Sequence, residues 1–161
     1  MMKSIPVWKQ ELSDGVHAAR LASLYCCAPA ETASEAARYA AVLDGLEKTF
    51  GSHAEAGLYS APGRTEIGGN HTDHQHGRVL AGSVNIDMIA AAAPNDKNQL
   101  RVQSEGYDLC VIDLNDLEAR KEEENTTAAL LRGECAAFTQ RGAKLAGLDV
   151  YISSNVPKGS G

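Results

Sequence analysis

Ser60-Ala-Pro-Gly-Arg64-Thr-Glu-Ile-Gly-Gly-Asn70-His71-Thr-Asp73-His74-Gln-His76-Gly77 puts a guanidinium, two amides, two carboxylates and three imidazoles into one glycine-broken segment. Neither a core strand nor a solvated helix needs that mixture. The glycines permit turns that few other residues tolerate, so the polar side chains between them can converge on one small polar ligand. A carboxylate such as Asp73 can accept from two neighbouring hydroxyls with charge-assisted strength. A guanidinium such as Arg64, standing just after Pro62-Gly63, supplies fixed positive charge for anionic oxygens.

Upstream of this stretch, residues 1–54 read as a helical lead segment. Thr32-Ala-Ser-Glu35 has the pattern of a capping box, and Gly51 suits a left-handed stop. Between them Tyr39, Leu43, Leu46 and Phe50 fall at i, i+4, i+7 and i+11, one apolar stripe that should dock on the rest of the domain. An earlier, less periodic helix is expected over about residues 13–27.

Downstream the hydrophobic period changes. Val84, Ile86 and Met88 alternate with Asn85 and Asp87, and the apolar run 89–93 meets a turn at 94–98. Leu100 and Val102 alternate beyond it, which predicts a hairpin with a longer loop. Residues 109–114 make another short strand. A helix is expected over 127–140, with Leu131, Cys135 and Phe138 along one face and Gly142 just past its end. Leu148, Val150 and Ile152 then alternate in a final strand. Strands with packed helices define an α+β domain. The last strand runs into Asn155-Val-Pro157-Lys-Gly159-Ser160-Gly161, a glycine-rich loop of the kind that commonly leads to an anion-holding helix N-terminus.

The 161 residues amount to one domain with enough chain to bury a core. Fifteen lysines and arginines against 21 acids give a net charge of -6, with no basic cluster. That balance argues against nucleic acid or an anionic membrane as partner. The acidic run at 122–124 reads as a solvated approach to a helix. Cys26 and Cys27 are adjacent, a poor geometry for pairing, and with Cys110 and Cys135 they match no zinc spacing, so reduced thiols in a cytoplasmic protein are expected. Residues 1–15 carry Lys3, Lys9, Glu11 and Asp14 and have no apolar signal-peptide core. The longest apolar run, 88–93, is far too short to span a bilayer.

Ala61-Pro-Gly-Arg64 followed by Gly69-Asn-His71-Thr-Asp73 resembles the signature of galactokinases, within the GHMP family of small-molecule kinases. Two further matches follow in order: a pair of strands at 79–93 and 100–104, and the approach from Leu131-Arg-Gly133 to Val156-Pro-Lys-Gly-Ser-Gly161, which is similar to the family's ATP-phosphate loop. Three residues depart from the family pattern. Glu66 stands where the family usually has Asn, Asn70 where it has Glu, and His74 where it has Tyr.

The resemblance implies a GHMP-kinase N-terminal domain, similar to the second domain of ribosomal protein S5, with a mixed sheet and packed helices. It implies transfer of the γ-phosphoryl of ATP, with Mg2+, to the anomeric hydroxyl of galactose. By the same resemblance Arg64 is catalytic and lies near the transferring phosphoryl group. Asn70, His71 and Asp73 bind the sugar, while Gly159, Ser160 and Gly161 hold the nucleotide. The aspartate expected to act as base falls in a C-terminal remainder, so the 161 residues alone are expected to show no turnover. Two rivals stand beside this reading. One is a non-catalytic galactose-binding or sensor module, which Asn70 favours. The other is a metal loop of His71, Asp73, His74 and His76, whose spacing matches no metal motif.

Overall fold

The computed structural model describes residues 1–69 and 76–157. Strand β1 (Met2–Lys3) is followed by helices α1 (Ile5–Ser13), α2 (Ala18–Tyr25) and α3 (Ala33–Phe50). Strands β2 (Ala56–Gly68), β3 (Leu80–Pro94), β4 (Gln99–Ser104) and β5 (Cys110–Asp113) come next, then helix α4 (Thr127–Gln140) and strand β6 (Leu148–Ser154). The strands form one mixed sheet in the order β1-β2-β3-β6-β4-β5.

The stripe expected on α3 forms the centre of the core. Leu43 and Leu46 are fully buried, Tyr39 and Val42 nearly so, and they pack with Ile5, Trp8, Leu12, Leu21 and Ile89. Gly51 closes α3 at φ 89°, a backbone conformation that glycine adopts without strain. The helix start differs from expectation. Thr32 accepts no helix N–H; its hydroxyl donates to the Pro29 carbonyl at 2.8 Å, and Glu31 caps the preceding turn by accepting from the Ala28 N–H at 3.0 Å.

The lead segment, read as helical over 1–54, has directly after β1 a helix that the periodicity had not placed. Ile5, Trp8 and Leu12 are the buried face of α1, and Pro6 sits in its first turn, where a missing N–H costs nothing. Gly15, at φ 71°, separates α1 from α2. The helix expected over 13–27 is therefore the shorter α2.

The predicted hairpin between β3 and β4 does not form. Strand β6 lies between them, antiparallel to β3 (Ala93 opposite Asp149) and parallel to β4 (Arg101 opposite Asp149). Asp149, with no solvent exposure, explains the insertion. Its carboxylate accepts from Arg101 Nε at 2.6 Å and also from Arg101 Nη2. Asn95 Nδ2 at 2.6 Å and His53 Nε2 at 2.9 Å complete its surroundings. A buried charge is tolerated only when its lone pairs are met, and this position meets all of them.

The same pairing inverts the sense of two alternations. The face under α3 takes Asp87, Ile89, Ala91 and Ala93 from β3, and Asp149 and Tyr151 from β6. Ile86 and Met88 point to the other face and are 38% and 44% exposed. On that other face α4 packs against β5, where Ile112, Val102 and Cys135 are buried. Of the α4 residues expected along one apolar face, Cys135 is buried but Phe138 is 54% exposed; Arg132 is buried instead, donating to Glu123 and to the Asp116 carbonyl. Gly142, at φ 87°, ends the helix in a Schellman arrangement, with the Ala143 N–H on the Phe138 carbonyl at 3.0 Å.

Gly45 has a packing reason to lie inside α3. A Cβ there would sit 2.3 Å from Tyr151 Cε1 and 2.5 Å from Cζ. Gly45→Ala should therefore destabilise by about 1–3 kcal/mol, although alanine is the better helix former. Urea denaturation checks this, and pairing Gly45→Ala with Tyr151→Leu should recover most of the loss.

Candidate functional site

The signature stretch is strand β2 and the loop that leaves it. Pro62 lies opposite Asp87 on β3, and the register shifts between Pro62 and Arg64 and again between Glu66 and Gly68. Such irregularities twist a strand and re-aim its side chains. Gly63 sits at the first of them for want of space. A Cβ there would lie 3.1 Å from Val84 Cγ2, 3.3 Å from the Ile86 carbonyl and 3.4 Å from Val156 Cγ2. The last contact brings the residue before Arg64 against the exit of β6, where the glycine-rich loop begins. Sequence distance gives no hint of that neighbourhood.

Gly69 closes the neck of the signature loop. It takes φ 85°, and a Cβ would fall 2.1 Å from the Arg78 carbonyl oxygen. The two ends of the segment between them are thus held side by side, and only glycine fits the crossing. His76, on the returning limb, has a left-handed backbone at φ 64°.

Of the expected site residues, Arg64 is placed on exposed β2, its side chain 66% exposed. Its Nη2 lies 3.3 Å from Glu66 Oε1, two residues along the same strand face. Asn70, His71, Asp73, Gly159, Ser160 and Gly161 lie outside the described residues, as does His74.

Sequence reasoning missed a polar cluster directly behind this strand. Asp87 is 2% exposed and accepts from Tyr25 Oη at 2.6 Å, Ser60 Oγ at 2.6 Å and Arg38 Nη2 at 3.0 Å. Tyr39 Oη lies 3.2 Å from Tyr25 Oη, whose oxygen can accept its proton. The backbone N–H of Asn155 donates to the Asp87 carbonyl at 3.0 Å. With its amide oxygen turned toward Arg38, Asn155 places that oxygen over the guanidinium, 3.1 Å from Nε and 3.2 Å from Nη1 and Nη2. Burial, reinforced by the bond to Asp87, raises the Tyr25 hydroxyl far above its ordinary range and keeps it a donor. Burial alone would lower Arg38, but the carboxylates of Glu35 and Asp87 outweigh it and raise the guanidinium further. The one available signal was an aspartate inside an apolar strand.

Helices layered on one mixed sheet give the described residues an α+β architecture, the fold of a GHMP-kinase N-terminal domain. The structure of Lactococcus lactis galactokinase complexed with galactose superposes with a TM-score of 0.63 at 22% identity, over 71% of this chain and 30% of that one. Residues 46–94 match the galactokinase galactose-binding signature. The chain is 30% identical over 116 residues to the galactokinase of Streptomyces coelicolor, covering 72% of this chain and 30% of that protein. To the Ligilactobacillus salivarius galactokinase it is 33% identical over 122 residues, 73% of this chain and 31% of that protein. It is a galactokinase N-terminal region. The chain spans about three tenths of the length of these relatives.

Among the described residues no helix is long and apolar enough to cross a membrane. Cys26, Cys27, Cys110 and Cys135 are all free thiols.

Proposed function

We propose that residues 1–161 are a single N-terminal domain of a galactokinase-type enzyme, with a lead segment at 1–54 and the sugar-signature region at 55–161. The enzyme moves the γ-phosphoryl of ATP to the anomeric hydroxyl of galactose in the cytoplasm. The observation that carries this reading is the signature match over residues 46–94, which includes Arg64 and the whole loop after Gly69.

In this reading the sugar hydroxyl oxygen attacks the γ-phosphorus, the bond to the ADP oxygen breaks, and the hydroxyl proton passes to a carboxylate in the C-terminal remainder. Phosphoryl transfer asks a protein mainly for positioning and for charge near the spread-out oxygens. Arg64 supplies that charge. Gly63, close to Val156, would keep it near the start of the glycine-rich stretch that by the family resemblance holds the ATP phosphates. Mg2+ accompanies the nucleotide and neutralises its charge. Asp73 and His71 pair with sugar hydroxyls, and Asn70 offers a neutral acceptor where the family pattern has a carboxylate. A site that pairs a particular hydroxyl rejects its epimer, because the mismatch strands buried polar groups.

Asp73→Ala should weaken galactose binding by about 2–4 kcal/mol, the scale for breaking a buried charge-assisted contact. Calorimetry with galactose, N-acetylgalactosamine and glucose tests both the residue and the sugar. Unchanged affinity in the variant removes Asp73 from the role.

A second reading is a sugar-binding or sensor module without transfer, favoured by Asn70, neutral where the family pattern has a carboxylate. Galactose binding without phosphoryl transfer in a protein of the relatives' full length would select it.

A further inference from the structure

The buried cluster around Asp87 joins the two halves of the site. Its donors come from four elements: Tyr25 on α2, Arg38 on α3, Ser60 on β2 and the Asn155 N–H after β6. Ser60 stands four residues before Arg64, and Asn155 two residues before Pro157. Pro62 and Asn155 flank Asp87 on opposite sides of β3, one through the β2 register and one through the backbone bond. A core needs no such group; an apolar residue of similar volume would pack the position without the desolvation cost. The cluster is also directional. Arg38 reaches Asp87 and Asn155 at once, so moving either partner disturbs the other.

We propose that Arg38 and Asp87 are positioning residues that couple the strand carrying Arg64 to the entry of the glycine-rich loop, acting through Ser60 and Asn155. A ligand that fixes the position of Arg64 then also bears on the position of Asn155. Arg38 is suited to this because its planar fork holds several acceptors in fixed directions, which a lysine ammonium does not.

Deuterium exchange and galactose calorimetry on the full 161-residue chain test the coupling, and the sugar measurement rests on the function proposed above. Ser60→Ala removes one donor to Asp87 with little change of volume, and Arg38→Met removes the bridge. Both variants should exchange about tenfold faster at peptides covering residues 59–64 and 153–157 alike, the scale of one charge-assisted hydrogen bond. Peptides from α4 should be unchanged. Galactose Kd should rise by a similar factor, with Arg38→Lys falling between wild type and Arg38→Met. Faster exchange confined to 59–64, equal loosening of α4, or no change in either variant would overturn the coupling. A wild-type chain that binds no galactose would overturn the proposed function and leave the exchange comparison to decide the coupling alone.

Discussion

Asp149→Ala is expected to lower stability by about 3–5 kcal/mol, the cost of removing one partner from a buried charged pair. The loss comes chiefly from what remains. Arg101 would be left with its guanidinium over the Phe50 ring, 4.9 Å from the centroid, and no carboxylate opposite. The Asn95 amide and the His53 ring would lose the same acceptor. Those groups belong to β4, to the turn after β3 and to the segment after α3, so the carboxylate ties three parts of the chain to β6. Asp149→Asn keeps the shape and two acceptor positions fewer, and should fall between alanine and wild type.

The effect should depend on pH with a definite sign. Burial alone would raise the Asp149 carboxyl, but the bonds from Arg101, His53 and Asn95 more than offset it, and the group is lowered from its ordinary 3.8. A carboxyl lowered on folding contributes stability that is fully present above the unfolded value. That contribution disappears as pH falls through the folded value, because both states then bind the proton. Urea midpoints measured from pH 7 down toward pH 2 should therefore drop more steeply in wild type than in Asp149→Ala. Parallel acid limbs would show that the carboxylate carries no linkage to folding.

Asp149 and Asp87 also mark where sequence reading reached its limit. Periodicity located α3, α4 and β6, because Leu43, Leu46 and Gly142 obey local rules of spacing and capping. It could not say which face of β3 or β6 is covered. The buried face takes Asp87 and Asp149, while Met88 and Ile86 stay exposed, because Arg38 and Arg101 arrive from 49 and 48 residues away to neutralise them. Placing β4 beside β3 was the natural local choice, and a parallel partner for β4 can come only from a crossover. That crossover is the chain from β5 through α4 to β6. In the signature stretch, the left-handed turn at Gly69 was legible from residue type, whereas the closeness of Gly63 to Val156 depends on how three strands pair. The missed α1 is a different case: its spacing of Ile5, Trp8 and Leu12 was present, and Pro6 reads as a breaker unless it is placed in a first turn.

Trp8→Ala should detach that missed helix and cost about 3–5 kcal/mol, the range for deleting a large aromatic from a core. Trp8 is 8% exposed and packs with Ile5, Leu12 and Leu21, while its indole Nε1 donates to the Ala56 carbonyl at 2.8 Å. Ala56 opens β2, and its carbonyl lies at the edge where only the two-residue β1 pairs with the strand. The indole therefore fastens the lead segment to the strand that carries Arg64, across 48 residues. Trp8→Phe separates packing from bonding, since it retains most of the ring but leaves a buried carbonyl unpaired, a loss of about 1–3 kcal/mol. The chain has one tryptophan, so wild-type unfolding can be followed by its emission and compared with far-ultraviolet circular dichroism. Coincident wild-type curves, with midpoints shifted in the order alanine beyond phenylalanine, would place α1 in the cooperative unit that supports β2. If Trp8→Ala keeps the wild-type midpoint by circular dichroism, α1 folds on the surface as a separate unit, and the geometry around Arg64 does not depend on it.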